Sequence, residues 1–278
     1  LFCAKMAELT NQQWLVENKG GSGGNVGMDT LAQATPDGYT LGLGGIASHA
    51  ISPTLYTKLP FNPRSDFTFV STIWSLPNML VVNLNVPATT VPELIDLLKK
   101  NPGKYSYASS GNGSILHLAA EYFKREVGGM EVEHIPYKGS GPALQDLMSG
   151  QVAWMMETFS TTLQQHRAGK VRILAYAHAQ RAPIAPEIPT MIEAGVKGYE
   201  AYTFNLILGP AGLPQSVVDT VDQASRKMMA DPDMIKFLLD IAAVPTTDTT
   251  PERTAKFIRD EIAKWAPVIR AAGVKIES

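Results

Sequence analysis

The sequence lacks the features that mark several large classes of protein. Its 278 residues include a single cysteine, Cys3, which excludes an internal disulfide and a multi-cysteine zinc site. No run of apolar residues is long enough to predict a membrane span, and no charged-then-apolar leader opens the chain. Neither sign of charge dominates, since 24 Lys and Arg stand against 26 Asp and Glu, a net charge of -2. This balance gives no electrostatic basis for binding nucleic acid or an anionic membrane, and it favours a small or uncharged partner.

The composition is that of an ordinary globular protein. Hydrophobic residues make up 45% of the chain and charged residues 18%, which is enough apolar material for a core. At roughly 150 residues per domain, the length predicts about two domains. Leu1, Phe2, Met6 and Leu9 fall at helical spacing with no capping residue before them. We therefore expect that the chain enters its first helix midway and that an upstream segment has been removed.

Short β-like runs alternate with amphipathic helical patterns over the first three quarters of the chain. This alternation predicts a parallel sheet with helices on both faces. The predicted strands are 14–18, 39–43, 78–83, 105–108, 132–136, 151–156, 171–177 and 199–208, and the predicted helices between them include 25–34, 114–127 and 141–149. The remainder reads as helical, with Asp231 and Thr250 each capping a helix that starts with proline. All of these segments are accounted for by two α/β lobes. The chain would leave the first lobe, form the second and then return to the first.

One helix start has a reciprocal capping signal. In Thr90-Val91-Pro92-Glu93 the Thr90 hydroxyl can accept from the Glu93 amide, and the Glu93 carboxylate can accept from the Thr90 amide. An apolar face follows, and the helix is predicted to stop at Asn101-Pro102-Gly103.

A glycine- and serine-rich turn joins the strand at 105–108 to the helix at 114–127. Unpaired N–H groups at the helix start, together with the hydroxyls of Ser109, Ser110 and Ser114, form a predicted anion site. An alternative interpretation is that Ser114 only caps the helix and the glycines only turn the chain. Both interpretations are open from the sequence.

Two sequence motifs are partial matches to enzyme signatures. Gly111 and Gly113 begin a dinucleotide fingerprint with Glu133 at the expected distance, but Leu116 replaces the third glycine. Gly20–Gly24 matches the nucleophile elbow G-x-S-x-G around Ser22, but no histidine lies at a diagnostic spacing. These weaknesses favour ligand capture over turnover.

The remaining polar residues near strand ends give weaker signals. Lys138-Gly139-Ser140 forms another strand-to-helix turn, and Glu157 and Thr158 follow a strand where open α/β sheets place ligands. His117 follows the serine-rich turn and could contact a ligand, cap or pack. The five histidines show no metal-ligand spacing, so we expect neither a metal nor a cofactor.

Four ordered segments resemble one known family. They are 16–27 (VENKGGSGGNVG), 36–41 (PDGYTL), 107–114 (YASSGNGS) and 134–144 (HIPYKGSGPAL). Their succession is similar to that of the Bug-type, TctC-like receptors of tripartite tricarboxylate transporters, and the resemblance extends to the closing 271–274. Two departures stand out, because the family's first strand and Phe-Pro-Pro-Gly-Gly-like loop are absent, and Lys19-Gly20 replaces Arg-Pro.

The resemblance implies a fold and a division into lobes. The expected fold is a two-lobed α/β periplasmic binding protein of type II, the Venus-flytrap kind, with a mainly parallel sheet in each lobe and a cleft at the hinge. Residues 1–85 and 202–278 are expected to form the first lobe, and residues 86–201 the second.

The resemblance also implies a set of ligand-binding residues. In the second lobe these are Ser109, Ser110, Gly111, Gly113, Ser114, Gly139, Ser140, Glu157 and Thr158, with Lys138 nearby; in the first they are Ser48, His49 and Phe204.

The function implied is capture of a small organic carboxylate by lobe closure, for uptake or sensing, without catalysis. The ligand would be a di- or tricarboxylate, an acidic amino acid or an aromatic acid. A monomer in the periplasm is expected, with the membrane subunits of a tripartite tricarboxylate transporter or a sensor kinase as partners. The alternative is an α/β enzyme, either an NAD-dependent oxidoreductase or a serine hydrolase using Ser22.

Overall fold

The computed structural model describes residues 1–277, and its helices and strands alternate as an α/β protein requires. The helices are α1 (Phe2–Thr10), α2 (Asn25–Ala32), α3 (Ser52–Leu55), α4 (Val91–Lys100), α5 (Ile115–Glu126), α6 (Ser140–Ser149), α7 (Phe159–Arg167), α8 (Gln215–Met229), α9 (Pro232–Asp240) and α10 (Pro251–Ala271). The strands are β1 (Gly42–Gly45), β2 (Phe67–Val82), β3 (Ser106–Ser109), β4 (Glu133–Pro136), β5 (Trp154–Thr158), β6 (Arg172–Tyr176), β7 (Tyr202–Pro210) and β8 (Val244–Pro245). The predicted α/β class is confirmed.

The chain forms two compact units, which confirms the predicted two-lobed organisation. Unit 1 contains Leu1–Ser75 and the described residues from Phe204 onward, and unit 2 contains Leu76–Thr203. The resemblance implies crossings at 85/86 and 201/202. In the structure both crossings fall within strands, because β2 and β7 each begin in one unit and end in the other.

Unit 1 is built on an antiparallel arrangement covered by helices. β1 pairs antiparallel with β7, β7 neighbours β2, and β2 pairs antiparallel with β8. Helix α10 buries an apolar face that consists of Ile258, Ile262, Trp265 and Ile269. This face has the period of a helix packed along one side.

Unit 2 contains a mixed sheet in the order β6-β2-β5-β3-β4. β3 pairs parallel with both β4 and β5, whereas β2 pairs antiparallel with β5 and β6. The sheets are therefore more mixed than the predicted mainly parallel ones, since β1–β7 and β2–β8 in unit 1 and β2–β5 and β2–β6 in unit 2 are antiparallel pairs. The physical reason is that β2 enters unit 2 as the continuation of a unit 1 strand, so its direction does not come from a β-α-β crossover.

Two strand predictions failed for opposite reasons. Residues 14–18 form no strand, and Leu15 and Val16 are 81% and 69% exposed, so their apolar run has no sheet neighbour to pack on. The first half of β2 was not predicted. Most of its side chains are buried on both faces, which removes the alternation that marks a half-buried strand, and Pro77 reads as a strand breaker.

The predicted helix starts are confirmed by their hydrogen bonds. Thr90 Oγ1 accepts from the Glu93 amide at 3.3 Å, and Glu93 Oε2 accepts from the Thr90 amide at 3.2 Å. Asp231 caps α9 and Thr250 caps α10 through their side-chain oxygens. Among residues 1–277, no helix has the length and apolar character needed to cross a membrane.

The capping box gives a direct test of the local structure. We expect Thr90→Ala to lower the free energy of unfolding by about 1 kcal/mol, because the Glu93 amide loses its acceptor. The measurement is urea unfolding followed by circular dichroism. The control is Lys100→Gln on the same helix, whose side chain is 76% exposed, with an expected change within about 0.5 kcal/mol. Equal effects of the two variants would contradict the capping role.

Candidate functional site

Three helices of unit 2 begin at one edge of its sheet. β3, β4 and β5 are parallel neighbours, and each is followed directly by a helix, α5, α6 and α7 respectively. The carboxyl ends of parallel strands share an edge, so the three helix N-termini lie at the same edge. Each N-terminus carries N–H groups without intrahelical partners and a partial positive charge. This edge therefore has the chemistry of an anion-binding surface.

The turn between β3 and α5, Ser109–Ser114, is here called the Ser-Gly turn. Gly111 and Gly113 have φ of 126° and 75°, which L side chains rarely adopt. The Gly111 amide donates to Ser109 Oγ at 3.2 Å, and the Gly113 amide donates to His117 Nδ1 at 3.1 Å. Ser114 Oγ accepts from the His117 amide at 3.2 Å, so the predicted capping role of Ser114 is confirmed. The two glycines thus shape the turn while their own amides are already bonded.

The amides that stay available in this turn are therefore a different set. Within the described part of the chain, the N–H groups of Ser110 and Asn112 donate to no protein acceptor. The first two helical residues, Ile115 and Leu116, have no intrahelical acceptor because of their position. These four N–H groups are the donors that the turn and its helix can offer to an anion.

The second strand-to-helix turn leaves its helix without a side-chain cap. Helix α6 begins at Ser140 after Gly139, whose φ is 108°. Pro142 has no N–H, so the first-turn donors are the amides of Ser140 and Gly141, together with the Ser140 hydroxyl. Lys138, just before them, is exposed to solvent.

The third turn is organised by a buried carboxylate. Glu157 is fully buried, and its Oε1 accepts from the amide of Thr158 at 2.7 Å and from the Thr158 hydroxyl at 2.9 Å. Because its hydroxyl turns to Glu157, Thr158 does not cap α7 through its side chain. The second oxygen, Glu157 Oε2, is buried with no hydrogen-bond partner among residues 1–277.

The first-lobe ligand residues implied by the resemblance lie in unit 1. His49 is fully buried, and its ring centroid lies 5.1 Å from that of Phe67 and 5.9 Å from that of Phe69. Its Nδ1 is 2.9 Å from Ser48 Oγ, and burial lowers the pKa of His49 to about 4. A Cβ on Gly44 would lie 2.8 Å from His49 Cε1, so only glycine fits beneath this ring. Here His49 is a neutral member of an aromatic cluster.

Phe204 also belongs to the packed interior of unit 1. It is fully buried, and its ring centroid lies 4.7 Å from that of Phe257 on α10 in an edge-on arrangement. The predicted contacts of Ser48, His49 and Phe204 with a ligand stay predictions.

The sequence did not single out one buried amide at the same edge of unit 2. Asn78 on β2 lies opposite Thr158 in the β2–β5 register, and it is fully buried. Its backbone is bonded to Ala201 and Ala177, but its Oδ1 and Nδ2 have no partner within the described residues. The one available signal was a single polar residue at the start of the apolar run 78–83. Buried amides without partners are rare and call for an explanation.

Among the residues that it describes, the structure places no catalytic partner beside Ser22, the serine of the G-x-S-x-G match. Ser22 is exposed, and its hydroxyl has no hydrogen-bond partner in the described chain. No group of three or more His, Cys, Asp or Glu side chains that could hold a metal occurs among residues 1–277.

The chain is similar to known proteins in both sequence and structure. Residues 2–274 match the family described as Tripartite tricarboxylate transporter family receptor, TctC. The structure of Rpa4515 from R. palustris, solved with adipate, is 32% identical with a TM-score of 0.81, covering 99% of this chain and 91% of that one. The periplasmic binding protein BugD is 31% identical with a TM-score of 0.77, covering 99% and 92%. MatC from Rhodopseudomonas palustris, solved with malate, is 28% identical with a TM-score of 0.76, covering 96% and 91%.

Asn78 and Asn83 form a matched pair for testing whether the unpartnered amide at the site edge lowers the free energy of unfolding. Asn83, beyond the other end of β2, donates to Leu147 O at 2.7 Å and accepts from the Asn85 amide at 2.8 Å. We expect Asn83→Leu to lower the free energy of unfolding by about 1–3 kcal/mol, because buried groups lose their partners. Asn78→Leu should leave it unchanged or raise it.

The measurement is denaturant unfolding of both variants in ligand-free buffer. A loss for Asn78→Leu as large as that for Asn83→Leu would show that the Asn78 amide is satisfied within the protein.

Proposed function

Because the chain belongs to the family of tripartite tricarboxylate transporter receptors, we propose that it is a periplasmic receptor for a small dicarboxylate, held at the carboxyl edge of the unit 2 sheet. Membership covers residues 2–274, which is nearly the whole chain. The family is one of receptors, so the chain is a solute-binding protein and not an enzyme. The oxidoreductase and hydrolase interpretations are therefore set aside.

The observation that carries the proposal is the meeting of three helix N-termini at one sheet edge. Two of them, those of α6 and α7, have no side-chain cap, so their first-turn amides are available to an exogenous oxygen. The amides of Ser110 and Asn112 add two donors from the Ser-Gly turn. A carboxylate needs several N–H or O–H donors to replace its water, and this edge supplies them in a fixed arrangement.

The ligand class is supported by two relatives. Rpa4515 was solved with adipate and MatC with malate, and both molecules carry two carboxylates. One carboxylate at the helix starts would leave the other to be read by further groups. A net charge of -2 does not oppose this, since backbone amides bind an anion without surplus cations.

Glu157 and Asn78 would recognise the part of the ligand next to the carboxylate. Glu157 Oε2 is an acceptor without a partner among the described residues, and Asn78 offers an acceptor and a donor. A second carboxylate placed against Glu157 would be repelled. These side chains therefore favour a ligand whose neighbouring carbon bears a hydroxyl or another donor.

The wider biological role is part of the same proposal. The receptor would act as a monomer and deliver its ligand to the membrane subunits of a tripartite transporter or to a sensor kinase. Movement of the two units on ligand binding, predicted from the resemblance, stays a prediction.

A thermal-shift and calorimetry panel tests the ligand class. Malate or adipate should raise the unfolding midpoint and give saturable heat, since a ligand that binds only the folded state stabilises it. Adipamide, which has the same length without charge, is the matched control and should do neither. Equal binding of adipate and adipamide, or no binding of any organic acid, would contradict the proposal.

Removal of a single amide tests where the carboxylate sits. Ser140→Pro should weaken binding of the ligand found in that panel by tenfold or more, because it removes an N–H and a hydroxyl from the carboxylate. Proline is favoured at the first helical position, as at Pro232 and Pro251 in this chain, so the fold should tolerate it. The control Ser140→Ala keeps the amide and should weaken binding less. Titration calorimetry measures both, and an unchanged affinity for Ser140→Pro would remove α6 from the site.

A further inference from the structure

Two histidine rings are stacked directly against the Ser-Gly turn. The ring centroids of His117 on α5 and His134 on β4 are 4.0 Å apart, and their planes differ by 4°. The stack continues through Tyr107, whose ring centroid is 4.8 Å from that of His134, and then through Trp154 at 4.9 Å from Tyr107. This column of aromatic rings lies entirely within unit 2.

Each histidine holds a different end of the turn. His134 Nε2 lies 2.7 Å from Ser109 Oγ, at the start of the turn. His117 Nδ1 accepts from the Gly113 amide at 3.1 Å, near the end of the turn. An N–H group can donate only to an unprotonated ring nitrogen, so this second bond requires His117 without a proton on Nδ1.

We propose that the neutral His117–His134 pair positions the Ser-Gly turn for anion capture, and that protonation of His117 releases the turn and weakens binding. This inference rests on the proposed function, since it concerns the same edge of unit 2. It makes His117 a positioning residue, because its bond to the Gly113 amide holds the turn whose other amides are the donors.

The surroundings of the pair favour the neutral form. Burial lowers the pKa of both rings, that of His134 to about 4. The charged groups nearby are Glu121 and Lys124 on α5, and Glu121 accepts from Lys124 Nζ at 2.7 Å and from the Tyr107 hydroxyl of β3. The Glu121 charge is therefore largely compensated by Lys124, and a second imidazolium 4.0 Å away would be repelled.

The sign of the pH effect follows from the hydrogen bond. Protonation of His117 would place an N–H on Nδ1 against the Gly113 N–H, so that two donors face each other and the bond is lost. The turn is then free to rotate its remaining amides away from the edge. Because burial lowers the pKa of His117, affinity should be retained at a pH equal to the usual histidine value of about 6.5 and should fall only at lower pH.

Two substitutions at one position separate this role from simple packing. His117→Asn places an amide oxygen near the position of Nδ1, so it keeps an acceptor for Gly113 but does not titrate. His117→Phe keeps an aromatic ring in the stack but has no acceptor. A packing role predicts that Phe is the better replacement, whereas the proposal predicts that Asn is.

The measurement is calorimetric affinity for adipate or malate between pH 4.5 and 7.5. At pH 7.5 we expect His117→Asn to stay within threefold of wild type and His117→Phe to bind at least fivefold more weakly, roughly one lost hydrogen bond. Protonation of the ligand affects both proteins equally, so it drops out when the wild-type association constant is divided by that of His117→Asn at the same pH. This ratio should fall as the pH falls. A ratio that stays constant or rises, or Phe outperforming Asn, would overturn the proposal.

A ligand-independent measurement separates failure of this inference from failure of the proposed function. In wild-type protein, the ¹⁵N imidazole shifts of His117 should show Nδ1 without a proton at pH 7.5, and the Gly113 amide should be protected from exchange. Protection should be lost on acidification and in His117→Phe. An exposed Gly113 amide at pH 7.5 would overturn the inference even if the protein binds dicarboxylates. Absence of all organic-acid binding would instead overturn the proposed function, whatever the protection of the Gly113 amide.

Discussion

Parallel pairing of β3 with both of its neighbours is the constraint on which the candidate site depends. A strand that pairs parallel on each side forces both connections to cross over through helices. Those helices must then start at the same edge, and their unpaired amides collect there. Antiparallel pairing at β3 would send alternate helix starts to opposite edges. The anion-binding chemistry is thus a property of strand direction more than of any one side chain.

Capture by amides has consequences that capture by lysine or arginine would not. Amides are fixed by the backbone, so the donors need not lose side-chain entropy when a ligand binds. Their orientation in turn depends on whatever fixes the turns, which here includes a buried carboxylate at Glu157 and neutral imidazoles at His117 and His134. The orientation of the amides is therefore fixed by groups that are neutral or already hydrogen-bonded within the protein.

The sequence predicted those parts of the structure whose signals are local. The Thr90–Glu93 box, the caps at Asp231 and Thr250 and the Ser114 cap depend on residues within three or four positions, and the structure bears them out. The failures depend on partners far along the chain. Residues 14–18 have strand composition without a neighbouring strand, and β2 is buried on both faces by segments that no local pattern reveals.

The candidate site divides in the same way. The glycine-rich turns could be located from sequence, because strand, turn and helix follow one another. Which amides stay unpaired could not, since Gly113 is bonded to a histidine and Gly111 to a serine only once the turn has folded. Asn78 shows the same limit, because its importance comes from lying opposite Thr158 in a register set by tertiary structure.

The two asparagines in and just after β2 show where the fold leaves a buried amide without hydrogen bonds. Asn83 and Asn78 are both almost fully buried and come from the same stretch of chain. At Asn83 the surrounding backbone turns to meet the side chain, and both of its polar groups are bonded. At Asn78, beside the carboxyl end of β5, the side-chain oxygen and nitrogen have no partner within residues 1–277. Asn25 in unit 1 is also buried with neither side-chain atom bonded among these residues. The stretch that contains Asn78 nonetheless satisfies Asn83 completely, so the missing partners are specific to the position of Asn78. Its position at the edge where three helices begin links the cost in stability to the site that would bind the ligand.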